Sequence, residues 1–181
     1  MNQKLSKSRW ITRTAILLAL CIASQFFKNL SVYITGPIIN CILIIAVLSC
    51  GIVSGIIISV ITPITSFIIT GSPIMAAMPL IMPCVMLGNI VICLGVYLFC
   101  RKEAADKNQI LGMLVGTIAK AAVMGLTISV GVIGIFGPSC GLPEAALNVA
   151  RTTFSLTQLI TAAIGSVLAF LVWKMIDKVV K

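Results

Sequence analysis

Four groups of polar residues in an otherwise apolar chain could do chemistry. Glu144, Asn148, Arg151, Ser155 and Gln158 fall at i, i+4, i+7, i+11 and i+14, which places them along one face of a single helix. On such a face Arg151 offers a planar fork suited to a carboxylate or phosphate, and Asn148, Ser155 and Gln158 can hydrogen-bond beside it. The same stripe also suits helix surface standing in water above a membrane. Lys120 is isolated inside a long apolar segment with Gly112 and Gly116 on its face, about 15 Å from the nearer end. At that depth an ionisable group is expected to face the bundle interior and meet ligand, water or helix carbonyls. The competing expectation is that its long stem snorkels to the surface. Thr62, Ser66 and Thr70 form a hydroxyl row with Thr65 beside it, and Pro63 frees a backbone carbonyl nearby. Rows of this kind bridge helices more often than they bind ligand. Asn40 and Asn89 are single amides suited to ligand contact, Asn89 equally to helix bridging.

These groups suit binding better than catalysis. The chain has no histidine and no Walker A sequence, and its only acids are Glu103, Asp106, Glu144 and Asp177. A membrane ATPase, a metalloprotease and a carrier with a buried carboxylate relay are therefore not expected. Seven cysteines (Cys21, Cys41, Cys50, Cys84, Cys93, Cys100 and Cys140) are scattered without a C-x-x-C pair, so they read as small buried hydrophobes, with no metal site. No enzyme and no resident cofactor are expected.

The elements that must position these groups are membrane helices. The 181 residues are 60% hydrophobic and only 9% charged, with a mean hydropathy of +1.19. No Asp, Glu, Lys or Arg occurs from Asn29 to Cys100, enough chain for about three spans of roughly 20 residues. An all-α membrane protein is predicted, one integral membrane domain over 1–181, built as a compact bundle of about six transmembrane helices. The net charge of +9 follows topology and does not point to nucleic acid. Lys4, Lys7, Arg9 and Arg13 precede the first span, Arg101, Lys102 and Lys107 fill one loop, and Lys174, Lys178 and Lys181 close the chain. With six spans all three clusters fall on one side, which the positive-inside rule makes cytoplasmic, together with both termini. The basic, then apolar, N-terminal segment reads as a retained first helix and not as a cleaved signal.

In order, helices are predicted at about 10–27, with Trp10 at the interface and Lys28 marking the outer end, then at 38–50 after a Gly36-Pro37 turn, and at 53–69. The second and third are short for a bilayer, about 15 residues or 22 Å. A fourth helix runs to Tyr97 and Cys100 from an irregular entry carrying Pro73, Pro79 and Pro83, a fifth covers about 110–136, and a sixth starts at Pro143, passes through Arg151 and Gln158, and ends at Trp173. Its first two turns are expected to project beyond the hydrocarbon on the outer side.

The first span carries Ala15, Ala19 and Ala23 at i, i+4 and i+8, a face smooth enough for another helix to approach closely. A basic N-terminus, Arg13 followed by Ala15-x-x-x-Ala19, a Gly-Pro pair at Gly36-Pro37 and six helices in this length together resemble the substrate-binding S component of energy-coupling factor (ECF) transporters. The resemblance covers the whole chain in layout. It implies that Ala15 and Ala19, with Ala23 as an extension, contact a transmembrane coupling subunit. It also implies that two ABC-type ATPases supply ATP-driven energy in a bacterial or archaeal cytoplasmic membrane, and that a vitamin, cofactor precursor or metal ion binds near the outer face. The histidine-bearing N-terminus of the nickel and cobalt binders is missing, which disfavours metal.

The sequence reading is thus an S component capturing a small organic solute through Arg151, Asn148, Ser155, Gln158, Lys120, Asn40, Asn89, Thr62 and Ser66. Two cations facing few acids favour a ligand with an anionic group. The rival readings are a self-sufficient homo-oligomeric carrier or channel, and a structural membrane subunit without a ligand.

Overall fold

The computed structural model describes residues 6–27, 31–100 and 106–180, with side chains in the last segment as far as 176. Lys4, Lys28, Asn29, Arg101, Lys102, Glu103 and Lys181 lie outside these residues, as do the side chains of Asp177 and Lys178. All regular structure among the described residues is helical: α1 (Lys7–Gln25), α2 (Val32–Cys50), α3 (Ile52–Thr70), a short α4 (Pro73–Ala77), α5 (Ile81–Phe99) and α6 (Asp106–Met124). The chain continues from α6 through a π-helical segment, Gly125–Val132, into α7 (Ile133–Phe136) and a 3-10 turn, Gly137–Ser139. α8 (Glu144–Phe154) and α9 (Leu156–Val180) complete it. Five helical stretches are long and apolar enough to cross a membrane. α1 has 19 residues but carries Lys7, Arg9 and Arg13 in its first two turns, and supplies the sixth long helix.

Two expectations about the elements are corrected. Gly36-Pro37 is not a loop: α2 begins six residues earlier than predicted and carries Pro37 inside it. Ser31 caps its start by accepting from Tyr33 N at 3.1 Å, and the added turns give 19 residues, about 28 Å, which removes the shortness of that span. The predicted sixth helix is interrupted at Ser155, whose φ of −115° and ψ of −86° lie outside the helical region, so α8 and α9 do not share one continuous face.

Close approach of the helices depends on glycine. A Cβ at Gly95 would lie 2.6 Å from Gly116 Cα, bringing the α5 and α6 backbones into contact. Gly36 packs on Thr161, and Gly165 on Asn40 and the Pro37 carbonyl, which locks α2 to α9. Gly55 on α3 faces Cys93 on α5 and Val47 on α2. Around these contacts lie two apolar clusters. One gathers Leu43, Ile44, Ile58, Ile92, Val96 and Met113, the other Met75, Ile81, Met124, Ile128, Leu147 and Phe154. Asn89 lies between Ile81 and Ile92 on α5, and Lys120 between Met113 and Met124 on α6, so a polar layer separates the two clusters.

Trp10 Nε1 donates to the Cys50 carbonyl at 2.9 Å, and Lys174 pairs with Asp106. Gly55, near the start of α3, meets Cys93, near the end of α5. The described basic clusters therefore gather at one end of the bundle. The first cluster fills that half, while the second, with α4 and α8, fills the other.

Gly95→Ala is expected to lower the thermal unfolding midpoint in detergent although Ala is favoured over Gly in a helix by about 1 kcal/mol, because its Cβ meets backbone, which cannot swing aside. Gly134→Ala, with no atom within 4 Å of the added Cβ, is expected to leave the midpoint unchanged or raise it. Equal midpoints for the two variants would remove the glycine contact as a determinant of the fold.

Candidate functional site

The polar layer converges on Lys120. Its side chain is 2% exposed, and Nζ donates to Asn40 Oδ1 at 2.6 Å and to Asn89 Oδ1 at 2.8 Å. Asn40, on α2, is held by its own helix: Nδ2 donates to the Gly36 carbonyl at 2.9 Å, which leaves Oδ1 directed at the lysine. Asn89, on α5, reaches Lys120 because Gly88 and Gly95 let α5 lie against α6. A Cβ at Gly88 would stand 2.4 Å from Met124 Cγ and 3.7 Å from Lys120 Cγ. Lys120 thus faces inward and does not snorkel. No carboxylate comes within ion-pair distance of it among the described residues, where the ion pair is Lys174 with Asp106.

Beside Lys120 is a cavity of about 80 Å³. It is lined by Asn40, Thr62, Ser66, Asn89, Lys120 and Gln158, six of the nine candidate ligand residues, from five helices. Met75 and Phe154 close it from α4 and the end of α8, and Thr35, Gly36 and Pro63 complete much of the rest. At about 30 Å³ per water the space holds about two or three waters, well below the 300 Å³ or more usual for an organic ligand. Thr62 Oγ1 donates to the Ile58 carbonyl at 2.6 Å and lies 3.4 Å from Cys21 Sγ, so part of the hydroxyl row bridges α1 and α3, as such rows commonly do.

The other three candidates lie elsewhere. Asn148 lines a broad depression between the start of α2 and α8, with Ser31, Val32, Tyr33, Thr152, Thr153 and Thr157. Arg151 Nη1 donates to Asn148 Oδ1 at 3.2 Å, and the Arg151 carbonyl accepts from Ser129 Oγ at 3.0 Å and Ser155 Oγ at 2.6 Å. Arg151 and Ser155 are part of neither lining, and the break at Ser155 separates Asn148 from Gln158. Val32 lines both the depression and the cavity, so the two adjoin.

Gln25 was not anticipated. It is 1% exposed at the end of α1, with Nε2 donating to the Thr62 carbonyl at 3.2 Å and Oε1 without a partner among the described residues. Its polarity at the end of an apolar run was the available signal. The apolar lining by Met75 and Phe154 had none, since it depends on where α4 and α8 fold back.

Ala15, Ala19 and Ala23 are exposed along α1, beside exposed Ile11, Ile16 and Leu20. The opposite face of α1 is the buried one: Thr14 Oγ1 lies 2.8 Å from Ser54 Oγ, and Cys21 and Gln25 contact α3. The ladder therefore does not pack inside the bundle. Ala15 is level with the start of α3 near the basic end, and Ala23 is level with Thr62 and the cavity.

No characterised protein and no solved structure gave a match. The sequence does match a family described as ECF transporter, substrate-specific component, over residues 9–178. With the long apolar helices, the match over nearly the whole chain makes this a multi-pass membrane protein that belongs to the family of substrate-specific components of ECF transporters.

Proposed function

We propose that the chain captures a small organic solute bearing an anionic group, and that this group is received by Lys120. One observation carries the reading: a buried ammonium held by two neutral amide oxygens and, among the described residues, by no carboxylate, at the edge of a cavity. Burial of an unpaired charge is costly, and a ligand carboxylate at Nζ offsets that cost with a charge-assisted hydrogen bond. Asn40 and Asn89 orient the ammonium, while Ser66 and Gln158 stand at the cavity wall to hydrogen-bond the ligand's anionic end, with Thr62 bridging the helices behind them. A vitamin-sized body exceeds the cavity as it stands, so only the anionic end enters there. The remainder occupies the adjoining depression beside Tyr33, Asn148 and Thr152.

In the cell the basic end faces the cytoplasm by the positive-inside rule, which turns the cavity and the depression toward the outside of a bacterial or archaeal cytoplasmic membrane. Ala15 and Ala19 then offer a shallow exposed face near the cytoplasmic end to a transmembrane coupling subunit, and Ala23 extends it. Two ABC-type ATPases on that subunit supply the energy. The chain has no nucleotide-binding sequence of its own.

Thermal stabilisation of the purified protein by a panel of vitamins and cofactor precursors tests the ligand class. Carboxylate-bearing compounds are expected to stabilise it and their methyl esters to fail. Lys120→Met should weaken binding about thirtyfold or more, corresponding to about 2 kcal/mol for removing one partner of a buried charged pair. Stabilisation by cationic compounds alone, or unchanged binding in Lys120→Met, would overturn the assignment.

The docking face is tested separately. Ala15→Trp and Ala19→Trp point away from the bundle, so both variants are expected to keep ligand binding and the thermal midpoint while uptake in cells containing the partner subunits is lost. A collapsed fold would return the ladder to the core. ATP-independent transport by the isolated chain in liposomes would instead favour a self-sufficient carrier.

A further inference from the structure

The Lys120 charge also has to be met when no organic ligand is bound. An ammonium carries three protons, and Asn40 Oδ1 and Asn89 Oδ1 accept two of them. Among the described residues no protein acceptor takes the third. Lys120 borders the cavity, and the cavity's size, about 80 Å³, admits a monatomic anion with a water or two but no vitamin. The side-chain amides of Asn89 and Gln158 border the space with Lys120, so a small anion there would meet N–H donors beside the charge.

We propose that, when no organic ligand is bound, a halide-sized inorganic anion, chloride under physiological conditions, is the counter-ion of Lys120 in this cavity. Entry of an anionic solute is then an exchange of one anion for another at a fixed cation. The charge of the polar layer stays balanced throughout, and a neutral or cationic solute cannot displace the resident anion without leaving Lys120 unpaired. This extends the proposed function, since the exchange assumes that the solute is anionic, but the chloride site itself is present whether or not that assumption holds.

The test uses the purified full chain without added organic ligand. Chloride or bromide is titrated at constant ionic strength against hexafluorophosphate, an anion without a carboxylate that accepts hydrogen bonds too weakly to pair with Lys120, and the thermal unfolding midpoint is followed. A saturable rise with halide is expected, absent with hexafluorophosphate and absent in Lys120→Met. Because Lys120→Met removes the partner of two buried amides and can fail to fold, chloride-35 magnetic resonance on the wild-type protein gives a second reading. Broadening of the chloride line that excess bromide reverses supports the site. Equal effects of halide and hexafluorophosphate, or a chloride line that bromide leaves unchanged, overturn it. The two proposals fail separately: halide binding with no response to any carboxylate-bearing compound sinks the organic ligand class alone, whereas carboxylate binding that is indifferent to halide sinks the counter-ion alone.

Discussion

A positive charge placed between two apolar clusters is the constraint on which the rest of the molecule depends. Lys120 at mid-bundle is opposed by about 2.5–3.5 kcal/mol even on the mildest scale of membrane insertion, and more where the ammonium finds no partner. The fold meets that cost with geometry and not with a counter-charge. Asn40 is oriented by the Gly36 carbonyl on its own helix, Asn89 arrives on α5, and both present oxygens within 2.8 Å of Nζ. Neither amide would reach if the helices stood at ordinary separation. The glycines at 88, 95, 116, 36 and 165 therefore belong to the polar site as much as to the packing: they remove the side chains that would hold α2, α5, α6 and α9 apart.

A second consequence is the division of the bundle into two ends. The residues that line the cavity with Lys120 come from the first half of α2, the second half of α3, α4, the first half of α5, the end of α8 and the start of α9, all in the half remote from the basic clusters. The exposed alanines at 15 and 19 lie in the other half. Between them runs the apolar cluster of Leu43, Ile44, Ile58 and Ile92, fully buried or nearly so. A close-packed layer of this kind transmits displacement better than it absorbs it. α1 is joined to this layer by its hydrogen bonds to α3 at both Ser54 and Thr62.

The sequence made the ingredients of this site legible one at a time. Lys120, Asn40 and Asn89 each stood out because a polar group in an apolar helix needs a reason, and the inward facing of Lys120 followed from the glycines on its side. Their convergence was not legible, because it is set by which helices are neighbours and how closely they approach. The stripe on the predicted sixth helix failed for a local reason. A strict helical spacing was extended through Ser155, where the backbone leaves the helical region, so Asn148 and Gln158 serve different spaces. Pro37 failed in the opposite direction: read as a turn, it sits inside a helix whose extra turns are secured by Ser31 and by the contact of Gly36 with Thr161. The eight-residue π segment after Met124 has no sequence signature of this kind.

That irregular segment bears on how a ligand larger than the cavity can be accommodated. The walls toward the basic end are fixed by contacts between backbones, as at Gly95 with Gly116, and cannot retreat without separating α5 from α6. The opposite wall is made differently. It consists of Met75 on a five-residue helix and Phe154 at the interruption between α8 and α9, and it rests on a π-helical stretch that packs on α8 and donates to it from Ser129 Oγ to the Arg151 carbonyl. Short helices, a π segment and a helix break have fewer regular hydrogen bonds to lose, and methionine and phenylalanine side chains repack at small cost. A solute larger than the cavity would gain its space at this wall, next to the depression that shares Val32 with the cavity, while the glycine-packed helices beneath would keep the Lys120 charge in place.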